Sequence, residues 1–207
     1  MGRTVQPTTY AGIDPLYMKT VQIELFTFEE LTPEVQKKVI EDNRYLNVEY
    51  FDWYHLIIEN WTGKLEEAGY MEPEILFSGF YSQGDGASFT CKSLNWNKIM
   101  VGKYAGLLEM ANEYFTGKVS RSPSIRYVHE KSTSVEIYTN GATLTDEQAA
   151  LVGELEKEID AWMVETNKEI YRELESDYDF QTSDEVVREC LINQEGHYEK
   201  NGKQRYD

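Results

Sequence analysis

The sequence predicts an α+β fold: an antiparallel sheet built from β-hairpins, packed with three or four helices, one of them long, acidic and C-terminal. Alternating apolar runs flank the glycine-rich segment SQGDG at Ser82–Gly86. Elsewhere, apolar residues recur every three or four positions, most persistently from Asp146 to Ser176. The first pattern fits strands, whose side chains alternate between faces, and the second fits helices. With 207 residues, 41% of them apolar, the chain is long enough to bury a core.

Residues 1–20 lack periodicity and read as a flexible lead-in to a core domain over 21–182. Val21–Phe28 (VQIELFTF) alternates as a strand. Thr32-Pro33-Glu34 marks a helix start, with Thr32 as N-cap, Pro33 at the first helical position and an acid in the first turn. That helix should reach Asn43. A second should cover Val48–Ala68, with Phe51, Tyr54, Ile58, Trp61 and Leu65 as its apolar stripe and Gly69 as its C-terminal cap. Glu74–Tyr81 and Ala87–Cys91 read as a hairpin central in the sheet, because both faces carry aromatics. A third helix is expected over Asn97–Tyr114, around Tyr104, Leu107, Leu108 and Ala111. A second hairpin joins Ser124–His129 to Thr133–Thr139. The longest helix follows Thr145, with an inward stripe of Val152, Leu155, Ile159, Trp162, Thr166, Ile170 and Leu174, and a break at Asp177–Thr182. Residues 183–207 form an appendage: a short helix capped by Ser183, then a hairpin turning at Asn201-Gly202.

Composition narrows the function. Thirty-seven acidic residues against twenty Lys and Arg give a net charge of -17. Phosphate backbones and anionic membranes would repel such a chain, so direct nucleic-acid binding is disfavoured. No apolar run is long enough to span a bilayer, and the first residues lack the apolar core of a signal peptide. Cys91 and Cys190 have no metal-ligand spacing and read as free thiols of a reducing compartment. His55, His129 and His197 have no partner at HExxH-like spacing, and neither a nucleophile elbow nor a dinucleotide fingerprint is present. No catalytic residue, metal or cofactor is therefore expected.

The loop Ser82, Gln83, Gly84, Asp85, Gly86 has two readings. Its turn-forming residues suffice to reverse a strand. It could also hold a small ligand, in which case several other polar side chains should gather around it. A phosphate cradle is disfavoured by Asp85 and by the absence of the GxxxxGK[ST] pattern. One carboxylate is too few for calcium.

The segments TFEELTPEVQKKVIEDNR (Thr27–Arg44), EPEILFSGFYSQGDGASFTC (Glu72–Cys91) and SDEVVRECLINQEGHYEKNGK (Ser183–Lys203) resemble a family of bacteriophage and prophage proteins with an FSGFWSQGDGA-like hairpin. Tyr81 stands where tryptophan is common in that family. The resemblance implies phage origin and action in the host cytoplasm. Because some members carry an antitoxin label, it also implies, as an alternative, neutralisation of a cognate toxin. It transfers no active site.

The long helix offers the strongest functional lead. Between Asp146 and Asp179 twelve acids face three bases, a net of -9. Glu147, Glu154, Glu158, Glu165 and Glu169 fall on a narrow arc beside the apolar stripe, in a row ~33 Å long at ~1.5 Å per residue. Such a row can imitate a phosphate backbone to a protein with a basic groove. An ordinary solvated face would look the same in sequence. The expected partner is a host or cognate protein with a basic surface. Tyr50, Trp53, Trp96 and Tyr138 are candidates for a hot spot or a homodimer contact if two of them are exposed together.

Overall fold

A computed structural model describes residues 22–49, 52–122 and 127–205. In chain order the elements are α1 (Pro33–Asp42), α2 (Leu46–Glu49), α3 (His55–Ala68), β1 (Tyr70–Phe77), β2 (Ala87–Leu94), α4 (Trp96–Ile99) and α5 (Leu108–Tyr114). They continue with β3 (Thr116–Arg121), β4 (Thr133–Tyr138), α6 (Asp146–Gln181), α7 (Asp184–Asn193), β5 (His197–Tyr198) and β6 (Gln204–Arg205). Short 3-10 helices occupy Phe28–Glu30 and Gly102–Leu107. The α+β class is as expected. The chain divides into two compact units, one formed by residues 1–53 with 178–207 and the other by 54–177.

In the first unit, α1 starts at Pro33 behind Thr32 as expected, although the Thr32 side chain makes no capping hydrogen bond. Val39 and Ile40 pack with Phe28, Leu31, Val187, Leu191 and Tyr198 into a small core. Ser183 caps α7 by accepting a hydrogen bond from the Val186 N–H. Arg44 donates to the Thr182 carbonyl, to Asp184 and to Glu41, each within 2.8 Å. The terminal hairpin pairs β5 with β6 as expected.

The strand expected over Val21–Phe28 does not form. Val21 lies outside the described residues, Gln22–Leu25 have no regular structure, and Phe26 makes a single bridge to Tyr198. The Thr27 N–H donates to the Glu30 carboxylate at 3.0 Å, turning the chain into a 3-10 helix where the strand should continue. The expected Val48–Ala68 helix is two helices, α2 and α3. Phe51 of its stripe lies outside the described residues, while Trp61 and Leu65 are buried as foreseen. Gly69 adopts the left-handed conformation that closes α3, with φ 103°.

The second unit is an antiparallel sheet of order β1-β2-β3-β4. The first hairpin is therefore not central, since β1 is an edge strand. Pro73 sits within β1, where a missing N–H is tolerated because that side of an edge strand has no partner. Paired residues share a face, so Phe89, Cys91, Val119 and Val135 line the covered side and are buried. On the opposite side Lys92 pairs with Glu72, and Lys118 with Glu136. Hydrogen bonds from Ser120 and Tyr138, together with Lys118, pull the Glu136 carboxyl down to about 2.

Strand β3 was not foreseen. The second hairpin pairs Thr116–Arg121 with β4 in place of Ser124–His129, of which 124–126 lie outside the described residues. The helix expected over Asn97–Tyr114 is interrupted by extended Val101 and by Gly102 at φ 58°, which leaves α4, a 3-10 turn and α5. The foreseen Tyr104, Leu107 and Ala111 are buried nevertheless.

Helix α6 lies on the covered face of the sheet and runs unbroken to Gln181, through the break expected at Asp177–Thr182. Its buried stripe is Val152, Leu155, Ile159, Met163, Thr166, Asn167, Ile170 and Leu174. Met163 takes the place assigned to Trp162. The indole of Trp162 is 41% exposed and stacks on Tyr70, with ring centroids 5.0 Å apart. Polar groups of α6 also finish the sheet's hydrogen bonding. Between β2 and β3, Cys91 and Val119 are the paired residues, and the Phe89 N–H instead donates to the Asn167 carboxamide oxygen at 3.2 Å. The Asn167 amide nitrogen donates to the Glu130 carbonyl at 3.2 Å. Asp160 accepts from the Val135 N–H of edge strand β4 at 3.0 Å.

Asn167 is fully buried, so truncating it orphans a backbone donor and a carbonyl away from water. Asn167→Ala is expected to cost about 2–4 kcal/mol of unfolding free energy. Urea titration checks this, with the midpoint lowered at an unchanged slope.

Candidate functional site

The five carboxylates of the long helix are exposed, as expected from their place beside the buried stripe. They are not equally free. Lys103, on the 3-10 turn before α5, reaches Glu154 and Glu158 at 2.7 and 2.8 Å. Lys168 reaches Glu165 at 2.7 Å, one turn along the same helix. Glu147 and Glu169 have no ion pair among the described residues. Five carboxylates against two lysines leave three uncompensated charges, so the row is negative but weaker than the sequence alone implies. Exposed pairs of this kind contribute little to stability, and salt screens them readily. The hydrogen bond from Lys103 holds the Glu158 carboxyl below the usual range, and Lys168 does the same for Glu165.

The glycine loop is more than a reversal between strands. The Asp85 carboxylate accepts from the Ser82 N–H at 2.8 Å and closes the loop on itself. Ser78, at its entrance, donates to the Val128 carbonyl and accepts from the Gly86 N–H. Gly84 takes φ 92°, and a Cβ on Gly86 would lie 2.7 Å from the His129 Cα, so the loop and the 127–132 turn meet only because Gly86 lacks a side chain. Tyr81 also has positive φ, at 70°, an unusual conformation for an aromatic residue. Phe80 stacks on Tyr171 of α6 with centroids 5.6 Å apart, and the Tyr81 backbone hydrogen-bonds the Tyr171 hydroxyl.

Beside this loop opens a cleft of about 220 Å³. Asp85 and Gly86 line it from the loop, Glu130 from the 127–132 turn, and Asn167, Lys168, Tyr171 and Arg172 from α6. Ser82, Gln83 and Gly84 are not among its lining residues. Arg172 makes no ion pair or hydrogen bond among the described residues, although its charge helps lower the Glu165 carboxyl. Sequence reasoning missed the helix side of this cleft. The only available signal was the spacing of Lys168, Tyr171 and Arg172 at three and four residues, which places them on one helix surface.

The other candidates separate. Trp96 is buried and its indole N–H donates to the Phe115 carbonyl, so it is no surface anchor. Trp53 packs edge-on against Tyr178. Tyr138 is 51% exposed, and Tyr50 lies outside the described residues. Burial pushes both the Cys91 and Cys190 thiols up, which disfavours thiolate chemistry. Among the described residues no group of three His, Cys, Asp or Glu is placed to hold a metal, and no helix is long and apolar enough to cross a membrane.

The lysine clamp gives an acid-side prediction. Because Glu158 titrates lower folded than unfolded, its pairing stabilises the fold above the ordinary carboxylate range, and this is lost as pH falls through the folded value. In Lys103→Met the Glu158 carboxyl is expected to move up. The small stability difference from the parent should be present at neutral pH and vanish in acid. Side-chain carboxyl NMR titration with parallel melts checks both.

No curated protein and no solved structure matches the chain. Residues 53–184 match a family described as a domain of unknown function, DUF8835. That stretch is more than half of the chain, and the protein belongs to this family.

Proposed function

We propose that this protein is an acidic, non-enzymatic docking module that binds a basic protein surface through the exposed carboxylate flank of α6. The observation that carries the reading is the helix's division of labour: one flank is buried on the sheet, while Glu147, Glu154, Glu158, Glu165 and Glu169 stay in water within a chain of charge -17. A field of this sign accelerates encounter with cationic partners and repels nucleic acid. The resemblance to bacteriophage proteins extends the proposal to a host target in the host cytoplasm, a defence or nucleic-acid-processing enzyme that the carboxylate row occupies in place of DNA. Lys103 and Lys168 then act as spacers, holding three of the five carboxylates in fixed positions while leaving the row net negative.

The test is retention of host proteins on the immobilised full chain and on a Glu154→Gln, Glu158→Gln, Glu165→Gln variant shown to be folded by circular dichroism. The expected result is a specific host protein held at low salt, released as ionic strength rises past ~0.15 M, and bound at least about tenfold more weakly by the variant. Equal retention by the folded variant, or capture indifferent to salt, would overturn the reading.

A further inference from the structure

The cleft beside Gly86 brings charges of both signs together on three separate segments of the chain. The chain carries -17, yet here the lining combines two carboxylates, Asp85 and Glu130, with two cations, Arg172 and Lys168, the latter also paired with Glu165. A simple anion entering it meets two carboxylates, and a simple cation meets two positive side chains. A molecule carrying both charges satisfies both sets at once. Arg172 strengthens the case, because its guanidinium has no partner among the described residues and can grip a carboxylate with two parallel hydrogen bonds. Tyr171 supplies an aromatic wall whose orientation is fixed by Phe80 on one side and the Tyr81 backbone on the other.

Size limits the ligand. The cleft's volume of about 220 Å³ lies below the ~300–1,000 Å³ of sites that hold drug-sized molecules. It is pre-formed by restrained parts: Asn167 fixes the Glu130 backbone to α6, Asp85 closes the loop, and Gly86 permits loop and turn to touch. We propose that this cleft is a binding site for a small amino-carboxylate zwitterion, a free α-amino acid, with its carboxylate on Arg172 and its ammonium on Asp85 and Glu130. This proposal stands apart from the docking function, and either can fail without the other.

The test is an amide NMR titration of the full chain with glycine, L-alanine and L-serine, with acetate and methylammonium as single-charge controls. Saturable shifts at Gly86, Lys168 and Arg172 are expected, with affinity of roughly millimolar order and at least about tenfold weaker binding of each control. Arg172→Gln and Glu130→Gln should each weaken the amino acids about tenfold while leaving the unfolding midpoint unchanged, since the Glu130 backbone carbonyl that Asn167 uses is retained. No saturable shift with any amino acid would overturn the proposal. So would acetate binding as tightly as glycine, or undiminished affinity in Arg172→Gln.

Discussion

The second unit rests on hydrogen bonds that its sheet cannot make for itself. Strand β2 meets β3 at Cys91–Val119, and the Phe89 N–H needs another acceptor. Asn167, on the buried stripe of α6, supplies it and with its other end holds the Glu130 carbonyl. Asp160 does the same for Val135 on β4. Burying a carboxamide without partners would cost several kcal/mol, whereas a satisfied one fixes the helix in a single register. Apolar packing alone tolerates sliding by small amounts, but two directed bonds to two strands do not.

Once that register is set, the rest of the helix surface is determined. Trp162 is turned to the rim against Tyr70, Glu173 meets the Trp61 indole N–H at 2.7 Å, and Tyr171 comes under Phe80 of the glycine loop. The carboxylate row is left in water as the remaining flank, and Lys103 falls beside Glu154 and Glu158. Both candidate sites therefore derive from one helix orientation. The acidic row is what that orientation exposes, and the cleft of mixed charge is what it forms with the loop and the 127–132 turn.

Local signals with a local mechanism were legible in the sequence. Thr32-Pro33, Gly69, Ser183 and the Asn201-Gly202 turn act within a few residues, and each appears where expected. The long helix was legible because its apolar spacing persists over many turns. What failed needed distant neighbours. Strand β3, TGKVSR, has little apolar alternation, and its Gly117 is required because a Cβ there would lie 2.7 Å from Leu94 and Trp96. Asn167 reads as a solvent residue until a strand with an unpaired N–H is placed against it. The cleft draws on three separate segments, so no spacing along the chain announces it. The neutralising lysines split in the same way: Lys168 lies one turn from Glu165, whereas Lys103 is 51 residues from Glu154.

If Asn167 joins helix and sheet into one cooperative body, their backbone amides must open together. Native-state hydrogen exchange tests this most directly. The Phe89 amide, the Val135 amide and those of α6 between Leu155 and Ile170 should exchange with one common free energy close to that of global unfolding. A Phe89 amide that exchanges as freely as those of the exposed loop, or an α6 that opens well before the sheet, would contradict the account.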